Sequence, residues 1–593
     1  MNGELIQQAN MAEEEEVIEK LEEYTKNARH HQLETLHSIL QHNSKVLYLQ
    51  PFLSNLDHHH LDAHTFRSLV PLSSFEDYAD YINHMAEHGN QHDHHPLLSV
   101  DPLLGFFYSS GTATMKPKLI PYFDSSLCTE ATFLAMQWTF LIRKRFFPPR
   151  PSINKILWFH HVGNITTAKC GLNVMPVSQY ILQCGKVTPQ EIPMVYASPS
   201  QVFLGSHADQ QTYCHLLCGL RNLDLIDGIA APYCLGLVKA FTLLESKWEQ
   251  LCHDLECGFP SHEITDVAMR EAVTETIGGP QPELSNRIRQ ICEDNDNDWS
   301  GIAHRLWKNV RYIKCVSTGI MKQYYTKVKY YAGEVPVVGG DYFASECSVG
   351  LNLDIMQPPE TTRYVLFPSA AYFEFLPFNM NDDSNNNAAD KTVDISSVEV
   401  GKMYEMVVTT YCGFYRYRLG DVVRIVGFYN SCPEVEFVMR APKAASEILT
   451  ERDLISAIEN FQLALRGAKM RAEIVEFASF LDQESRPKQL KVFIEVQEES
   501  DFMEDKLDES IRILRSCISS LESSLGALYK VEKVKGQLGS LIVFILRPGA
   551  FDKLYELAIR NGTPAGQYKP PKILRNHEIV RLLEKFSLCD KIV

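Results

Sequence analysis

At Arg440 the chain changes character, and that break limits the architecture more than any other feature. Before it, mixed segments alternate. KILWFHHV reads as a strand, QQTYCHLLCGLRN as a helix, RYIKCVSTG as strand and turn, and EVPVVGGDYFASE as strand and loop. TTRYVLFP, AAYFEFLPF, YEMVVTTYCGFYRYRLGDVVRIVGFY and EVEFVMR add β-rich runs of Val, Ile, Tyr and Phe. After the break, APKAASEILTERDL combines small residues with helix-start signals, as a hinge leading into a helix does. QLKVFIEV then reads as a strand, Asp501–Leu525 as a long helix, GSLIVFILRPG as a strand, and AFDKLYELAIRNG as a helix closed at Gly562. The expectation is an α/β (mixed α+β) protein in two domains. Residues 1–440 would form a large domain of β-sheets flanked by helices, and residues 441–593 a small α+β unit. A chain of 593 residues is longer than one core sustains, since single cores stop growing at roughly 250–300 residues.

Outside that frame, Glu13–His42 shows helical spacing, with Ile18, Leu21, Tyr24, Leu33, Leu36, Ile39 and Leu40 on a common face. NMNDDSNNNAADK (Asn379–Lys391) is a polar low-complexity insertion, expected as a flexible loop. Two histidine clusters, DHHHLDAH (Asp57–His64) and QHDHHP (Gln91–Pro96), invite a metal site because imidazoles ligate zinc and copper. They sit among Asn, Asp, Gly and Pro, and solvated loops without metal are the expectation. The fifteen cysteines contain no CxxC pair or ligand-spaced set, and Cys214 and Cys218 read as small buried thiols of an apolar helix.

Charge removes further classes. Fifty-seven basic against seventy-four acidic residues leave a net charge of −17, which argues against nucleic acid or an anionic membrane as the main partner and leaves room for a local basic pocket. The apolar stretch Gly228–Val238 has eleven residues, too few to span a bilayer. The N-terminal stretch is acidic and lacks the basic-then-apolar order of a signal peptide, so a cytoplasmic location is expected.

Four segments carry candidate chemistry. In FYSSGTATMKPKLIP, Ser109, Ser110, Gly111 and Thr112 stand before Lys116 and Lys118. Hydroxyls and turn amides donate to phosphate oxygens and a lysine adds a point charge, although GxxxxGK[ST] is missing. A plain Ser/Thr turn between strand and helix is the alternative. The apolar LLGFFY before it would present the loop at a sheet edge, where ligands bind in open α/β sheets. In GGDYFASE, a glycine pair allows close backbone approach, Tyr342 offers a flat face for a purine, and Glu346 is an oxygen ligand suited to Mg²⁺. In YRYRLGDVVRI, Gly420–Asp421 reads as a turn between two strands, where a carboxylate would accept both hydrogen bonds of a ribose diol. An ordinary Gly-Asp hairpin turn fits equally. GQYKPPK carries Lys569 in a Gly/Pro-bounded loop, as a functional or a merely surface lysine.

The order of these segments matches the plan of the acyl-adenylating, firefly-luciferase-like superfamily. Within it the chain resembles the plant auxin-responsive Gretchen Hagen family of acyl acid amido synthetases, over nearly its whole length. The resemblance is carried by VLYLQPFL, SSGTATMKPKLIP, TYCHLLCGL, IGGPQPEL, TGIMKQY, YFASECSVGLNLD, AYFEFLPF, GFYRYRLGDVVRIVGFYN and GTPAGQYKPPK. It implies an enzyme that adenylates a small carboxylic acid with ATP and Mg²⁺ and then transfers the acyl group to a free amino acid. On that resemblance, Ser109, Ser110 and Thr112 contact the phosphates with Lys118 closing the motif. Tyr342 lines the adenine pocket, and Met321 in TGIMKQY walls the nucleotide site or packs as a core methionine. Glu346 holds Mg²⁺, Asp421 the ribose hydroxyls, and Lys569 stabilises charge during transfer. SECSVGLNLD and IGGPQPEL look more like the auxin and benzoate branches than the jasmonate branch. A monomer without nucleic-acid or membrane partners is expected.

The sequence departs from the family pattern at three places. The family loop usually reads SSGTSxGxxKxxP, but Ala113 and Met115 stand at its second Ser and its Gly. The hinge segment is a few residues shorter and lacks an acidic-Lys-Thr stretch, and Ile542 stands where Glu is general. The loop change keeps a second reading open: a nucleotide- or acid-binding protein on the same scaffold with little turnover.

Overall fold

The computed structural model describes residues 2–588 except 54–61, 93–94, 110–116, 163–164, 178, 180–194, 294–297, 359–360, 380–390, 443–447, 471 and 498–506. The chain divides into two compact units. One comprises Met1–Ser109, Leu119–Phe378 and Asn387–Val438; the other comprises Ser110–Lys118, Asn379–Asn386 and Met439–Val593. Among the described residues, no helix is long and apolar enough to cross a membrane.

The first unit is built on three main sheets. The largest orders its strands Tyr342–Phe343, Ser348–Leu351, Tyr364–Leu366, Cys432–Arg440, Tyr417–Tyr429, Met403–Thr409 and Tyr372–Phe378. These are the β-branched and aromatic runs expected as strands, and their burial on both faces (Tyr372–Phe375, Tyr404–Thr409) explains why they read as nearly continuous apolar stretches. The second sheet is parallel, in the order Val337–Val338, Tyr312–Val316, Ile226–Tyr233 and Lys155–Trp158. KILWFHHV therefore stops being a strand at Trp158, and His160 and His161 lie past its carboxyl end. Helix Cys234–Cys257 comes directly after Ile226–Tyr233, one of the two inner strands, and buries Leu237, Phe241, Leu244 and Leu251. It ends at Gly258 with φ 88, where a Cβ would stand 2.5 Å from the backbone of Gly279 and Pro280, so only glycine fits. Cys214 and Cys218 lie fully buried in the neighbouring helix Ala208–Arg221, and burial pushes the Cys218 thiol up to about 12.

The third sheet corrects one expectation. LLGFFY forms strand Leu103–Tyr108, paired antiparallel with Leu119–Phe123 and parallel with Asn173–Met175. The Ser/Thr stretch therefore stands between two antiparallel neighbours rather than between a strand and a helix; residues 110–116, expected to be presented at a sheet edge, lie outside the described residues.

Other expectations also change. The N-terminal spacing resolves into two helices, Asn2–Lys26 and Ala28–Asn43, separated at Asn27. The expected common face holds only in part within each helix: Val17, Leu21, Leu36, Ile39 and Leu40 are buried, while Ile18 and Leu33 are exposed. In the second histidine cluster, Gln91–His92 pairs with His95–Pro96 as a short hairpin rather than a loop. Most of the first cluster and residues 380–390 of the polar insertion lie outside the described residues.

The second unit carries a sheet ordered Ile542–Leu546, Gln489–Val496, Ile474–Asp482 and Ile573–Leu574. Its core joins Leu454, Ile458 and Phe461 of helix Glu451–Gly467 to Val492, Ile494, Val543 and Ile545 of the sheet. Thr450 and Asp453 close that helix with a reciprocal capping box, the start signal read in SEILTERDL. Helix Leu507–Ser523 occupies the stretch expected from Asp501; residues 498–506 lie outside the described ones.

Candidate active site

The GD pair at 420–421 is a bulge, not the expected hairpin turn. The strand runs unbroken from Tyr417 to Tyr429. Against strand Met403–Thr409, Arg418 pairs with Val407 and Val422 with Glu405, so Leu419, Gly420 and Asp421 together oppose Met406. Gly420 supplies φ 77, which a residue with a Cβ adopts only at a cost. A bulge re-aims the side chains beside it, and here it turns Asp421 toward Tyr342. The Tyr342 hydroxyl donates to Oδ2 of Asp421 at 2.6 Å, the length of a charge-assisted bond. In a flat sheet these strands, four positions apart, would be separated by about 19 Å. The bond therefore requires a strongly curled sheet.

Glu346 belongs to the same patch. It is half-buried in the turn after Tyr342–Phe343, and the Tyr417 hydroxyl lies 3.4 Å from its Oε1 as donor. Burial raises the Cys347 thiol well above its ordinary value, and the charges of Glu346 and Asp421 add to that rise. Asp421, distant in sequence, thus meets Tyr342, with Glu346 close by on the same segment as Tyr342. The Tyr342 ring is flanked by Tyr364 at 5.4 Å and, edge-on, by Phe437 at 6.2 Å. The segment TGIMKQY reaches this neighbourhood through Thr318 and Gly319, neither of which stood out in the sequence. The Thr318 hydroxyl lies 3.3 Å from that of Tyr364, and Gly319 packs on the Phe437 ring. Met321 itself is buried in the core around the parallel sheet, with Tyr324 and Val328, which favours the packing alternative.

Arg416 is a residue that the sequence did not reveal. Its Nε donates to both oxygens of Glu374 at 3.1 and 3.2 Å, and Nη2 donates to Glu374 at 2.9 Å and to the Thr392 hydroxyl at 3.1 Å. Nη1 donates to the carbonyls of Arg67 and Val70, both at 2.7 Å. Every guanidinium hydrogen has an acceptor, as burial of the whole pair demands. The only signal in the sequence was an arginine between buried tyrosines, which must have a partner. Asp341 acts similarly at the other end of the site. It accepts from the Asn352 amide at 2.9 Å and from the Thr139 hydroxyl at 2.7 Å, tying helix Ser126–Phe146 to the edge of the large sheet.

Of the phosphate-loop candidates, Ser109 is described at the end of its strand and is half-buried. Ser110, Thr112, Ala113 and Met115 lie outside the described residues. Lys118 falls within the second unit, as does Lys569. Lys569 is half-buried, and its charge, with those of Arg440, Lys572 and Arg575, acts on Glu451, the first residue of helix Glu451–Gly467. Burial nevertheless lifts the Glu451 carboxyl above its usual range.

For a metal, Glu346 offers the hard oxygen that Mg²⁺ prefers. Among the described residues no group of three or more His, Cys, Asp or Glu is placed to hold an ion. A cation there would complete its shell with substrate phosphate and water, the usual manner of Mg²⁺, so the residues fit it.

Comparison with known proteins gives the family. Three family models match in order: the GH3 family N-terminal domain over residues 17–337, the central domain over 364–440 and the C-terminal domain over 452–578. The 4-substituted benzoates-glutamate ligase GH3.12 of Arabidopsis thaliana is 32% identical, with 96% of this chain and 97% of that protein covered. The jasmonoyl–L-amino acid synthetase GH3.5 of Oryza sativa subsp. japonica is 33% identical over the same shares. A probable indole-3-acetic acid-amido synthetase, GH3.6 of Oryza sativa subsp. japonica, is 48% identical over 63% of this chain and 77% of that protein. Among solved structures, the AtGH3.15 acyl acid amido synthetase in complex with 2,4-DB superposes with a TM-score of 0.81 at 29% identity, covering 98% of this chain and 97% of that one. The chain belongs to the GH3 family.

Proposed function

We propose that this chain is an ATP-dependent acyl acid amido synthetase. The observation that carries the reading is the bond of Tyr342 to Asp421, beside Glu346 held by Tyr417 of the same strand as Asp421, in a chain matched by family models along its length. A carboxylate is a poor electrophile because its charge is delocalised and oxide is a poor leaving group. Attack of the acid's oxygen on the α-phosphorus of ATP gives an acyl-AMP and releases pyrophosphate. The amine of an amino acid then attacks the acyl carbon, AMP leaves, and the amide forms with loss of one proton.

In this reading Asp421, oriented by the Tyr342 hydroxyl, accepts hydrogen bonds from the ribose diol. A carboxylate has about four acceptor positions, so the bond to Tyr342 does not exhaust it. The Tyr342 ring and its aromatic neighbours form the adenine side of the pocket. Ser109, Ser110, Thr112 and Lys118 hold phosphate oxygens, and Lys569 stabilises the charge that develops during transfer. Glu346 would hold Mg²⁺, which when bound neutralises phosphate charge.

The acid is proposed to be of the auxin-like indole type, with benzoates next. Support comes from the 48% identity to an indole-acid relative over part of the chain, since full-length identities to benzoate and jasmonate relatives, 32% and 33%, do not rank the acids. A cytoplasmic monomer remains the proposal. Ala113 and Met115 favour a second reading, a binder with little turnover. Carboxylate-dependent pyrophosphate exchange over indole, benzoate and jasmonate acids separates the two. Exchange with any acid supports the synthetase; ATP binding without exchange supports the binder.

A further inference from the structure

Across Tyr568–Lys572, Lys569 is the one residue that reaches the surface; Tyr568, Pro570, Pro571 and Lys572 are buried. The Tyr568 ring stands edge-on to Tyr555 at 5.0 Å. The two prolines fix φ near −65° and stiffen the stretch after the lysine. Lys572 is wholly buried, and its ammonium pairs with the Glu476 carboxylate, lies 4.0 Å from the Phe477 ring centroid, and donates to the Phe477 carbonyl at 3.4 Å. The Lys572 carbonyl accepts from both the amide and the hydroxyl of Ser479, at 2.8 and 3.2 Å.

Directly after Lys572 the chain forms only a weak strand. Ile573–Leu574 adds parallel to the edge of Ile474–Asp482 through two register pairs, Ser479 with Ile573 and Phe480 with Leu574. So short a ladder specifies register poorly, and a slip of one residue would carry the preceding segment about 3.3 Å along the strand. A buried ion pair is an inefficient source of stability, because desolvation offsets the attraction. Its best-attested use is to select one register over its neighbours. An apolar pair in the same place would fill the space without that selectivity.

We infer that Glu476 and Lys572 are positioning residues for Lys569, their ion pair setting the register of the segment that presents it. The inference rests on the proposed role of Lys569 in acyl transfer. A displacement of about 1 Å at a reacting group can cost on the order of a hundredfold in rate, so a slip need not unfold anything to be felt.

The test replaces the pair by apolar residues of similar size, Glu476→Leu with Lys572→Met, in the full chain. The change is made both in the parent and in a Lys569→Ala background. In the parent, kcat for amide formation should fall at least about tenfold, while KM for ATP and acid and the thermal midpoint stay near parental values. In the Lys569→Ala background the same change should leave kcat within about twofold, because the pair acts through a lysine already gone. Equal losses in both backgrounds, or a loss confined to KM, would mean a merely structural pair and overturn the inference. If Lys569→Ala is itself within about twofold of the parent, the role of Lys569 fails and the inference falls with it. If Lys569→Ala is slow but the apolar pair is as fast as the parent, the inference alone fails. Should the apolar pair not fold, Glu476→Gln, which keeps a hydrogen bond to Lys572 without the charge, is taken through the same cycle with the same outcomes decisive.

Discussion

Asp421→Asn tests the nucleotide site while preserving its shape. Asp421 is only 5% exposed, so truncation to alanine would perturb packing and deprive the Tyr342 hydroxyl of its acceptor as well as removing a ribose contact. Asparagine keeps the volume and one oxygen for Tyr342 but loses the charge. Hydrogen bonds to charged groups contribute about 1.5–3 kcal/mol and neutral ones about 0.5–1.5, a loss of about 1–1.5 kcal/mol per bond. Two bonds to a ribose diol then give about 2–3 kcal/mol, or roughly 30- to 160-fold weaker ATP binding at about 1.36 kcal/mol per decade. Calorimetric titration with ATP measures this directly, and far-ultraviolet circular dichroism checks the fold. Tyr342→Phe is the companion: it keeps the carboxylate but frees its orientation, and a loss of several-fold is expected. An asparagine variant that binds ATP within about threefold of the parent, a difference under 1 kcal/mol, would refute the ribose role.

Glu346→Gln should raise the Mg²⁺ concentration needed for half-maximal pyrophosphate exchange, with ATP-independent folding unchanged; an unchanged Mg²⁺ profile would remove Glu346 from the metal. Arg416→Met strands the wholly buried Glu374 and should cost about 3–5 kcal/mol, read as a lower urea midpoint that Glu374→Leu largely restores. Burial holds His160 down to about 3 and His161 to about 4, against 6.5 in the open chain, so the unfolded chain binds more protons between those values and stability falls as pH drops through that window. Each histidine should cost about 2 kcal/mol at pH 5 relative to neutral pH, and melts of a His160→Asn variant should show a shallower pH slope than the parent. Restoring the family loop with Ala113→Ser and Met115→Gly should lower KM for ATP or raise turnover by roughly tenfold if 1.4 kcal/mol is recovered; an unchanged or slower enzyme would mean the loop works in its own geometry.

The strands of the large sheet were legible because β-branched and aromatic runs with no helical period have few other uses. The bulge was not. A Gly-Asp pair inside such a run has the same local signature in a hairpin turn and in a bulge, and only the distant register of Glu405 and Val407 decides between them. Tyr342 was legible as an aromatic beside a glycine pair, a flat face suited to a purine. Its hydroxyl bond was hidden, because the acceptor lies seventy-nine positions away. Arg416 and Lys572 were hidden for the same reason: their partners, Glu374 and Glu476, stand forty-two and ninety-six residues upstream. A charged residue reads as exposed until its counter-charge is located.

Those two pairs have a common logic. Each buries one strong base against one carboxylate at the end of a segment carrying a candidate functional group: Arg416 immediately before Tyr417 and the bulge of Asp421, and Lys572 just after Lys569. In both, the base also bonds backbone carbonyls, so it fixes chain position as well as charge. At Arg416 the backbone itself shows how firmly the position is held. Its φ of 48 lies in the left-handed region, which costs a residue with a Cβ roughly 1–2 kcal/mol. Such a conformation persists only where its surroundings over-determine it, and the bonds of the buried guanidinium do so. A few residues later Gly420 departs from regular strand geometry again. Between the two departures the backbone aims the Tyr417 hydroxyl at Glu346, and just beyond the second it aims Asp421 at Tyr342. Tyr417 and Asp421 stand four positions apart, so even a regular strand would send both side chains to one face; the bulge between them alters their spacing and aim along that face. The strained arginine and its buried partner thus fix the start of the strand from which Tyr417 reaches Glu346 and Asp421 meets Tyr342.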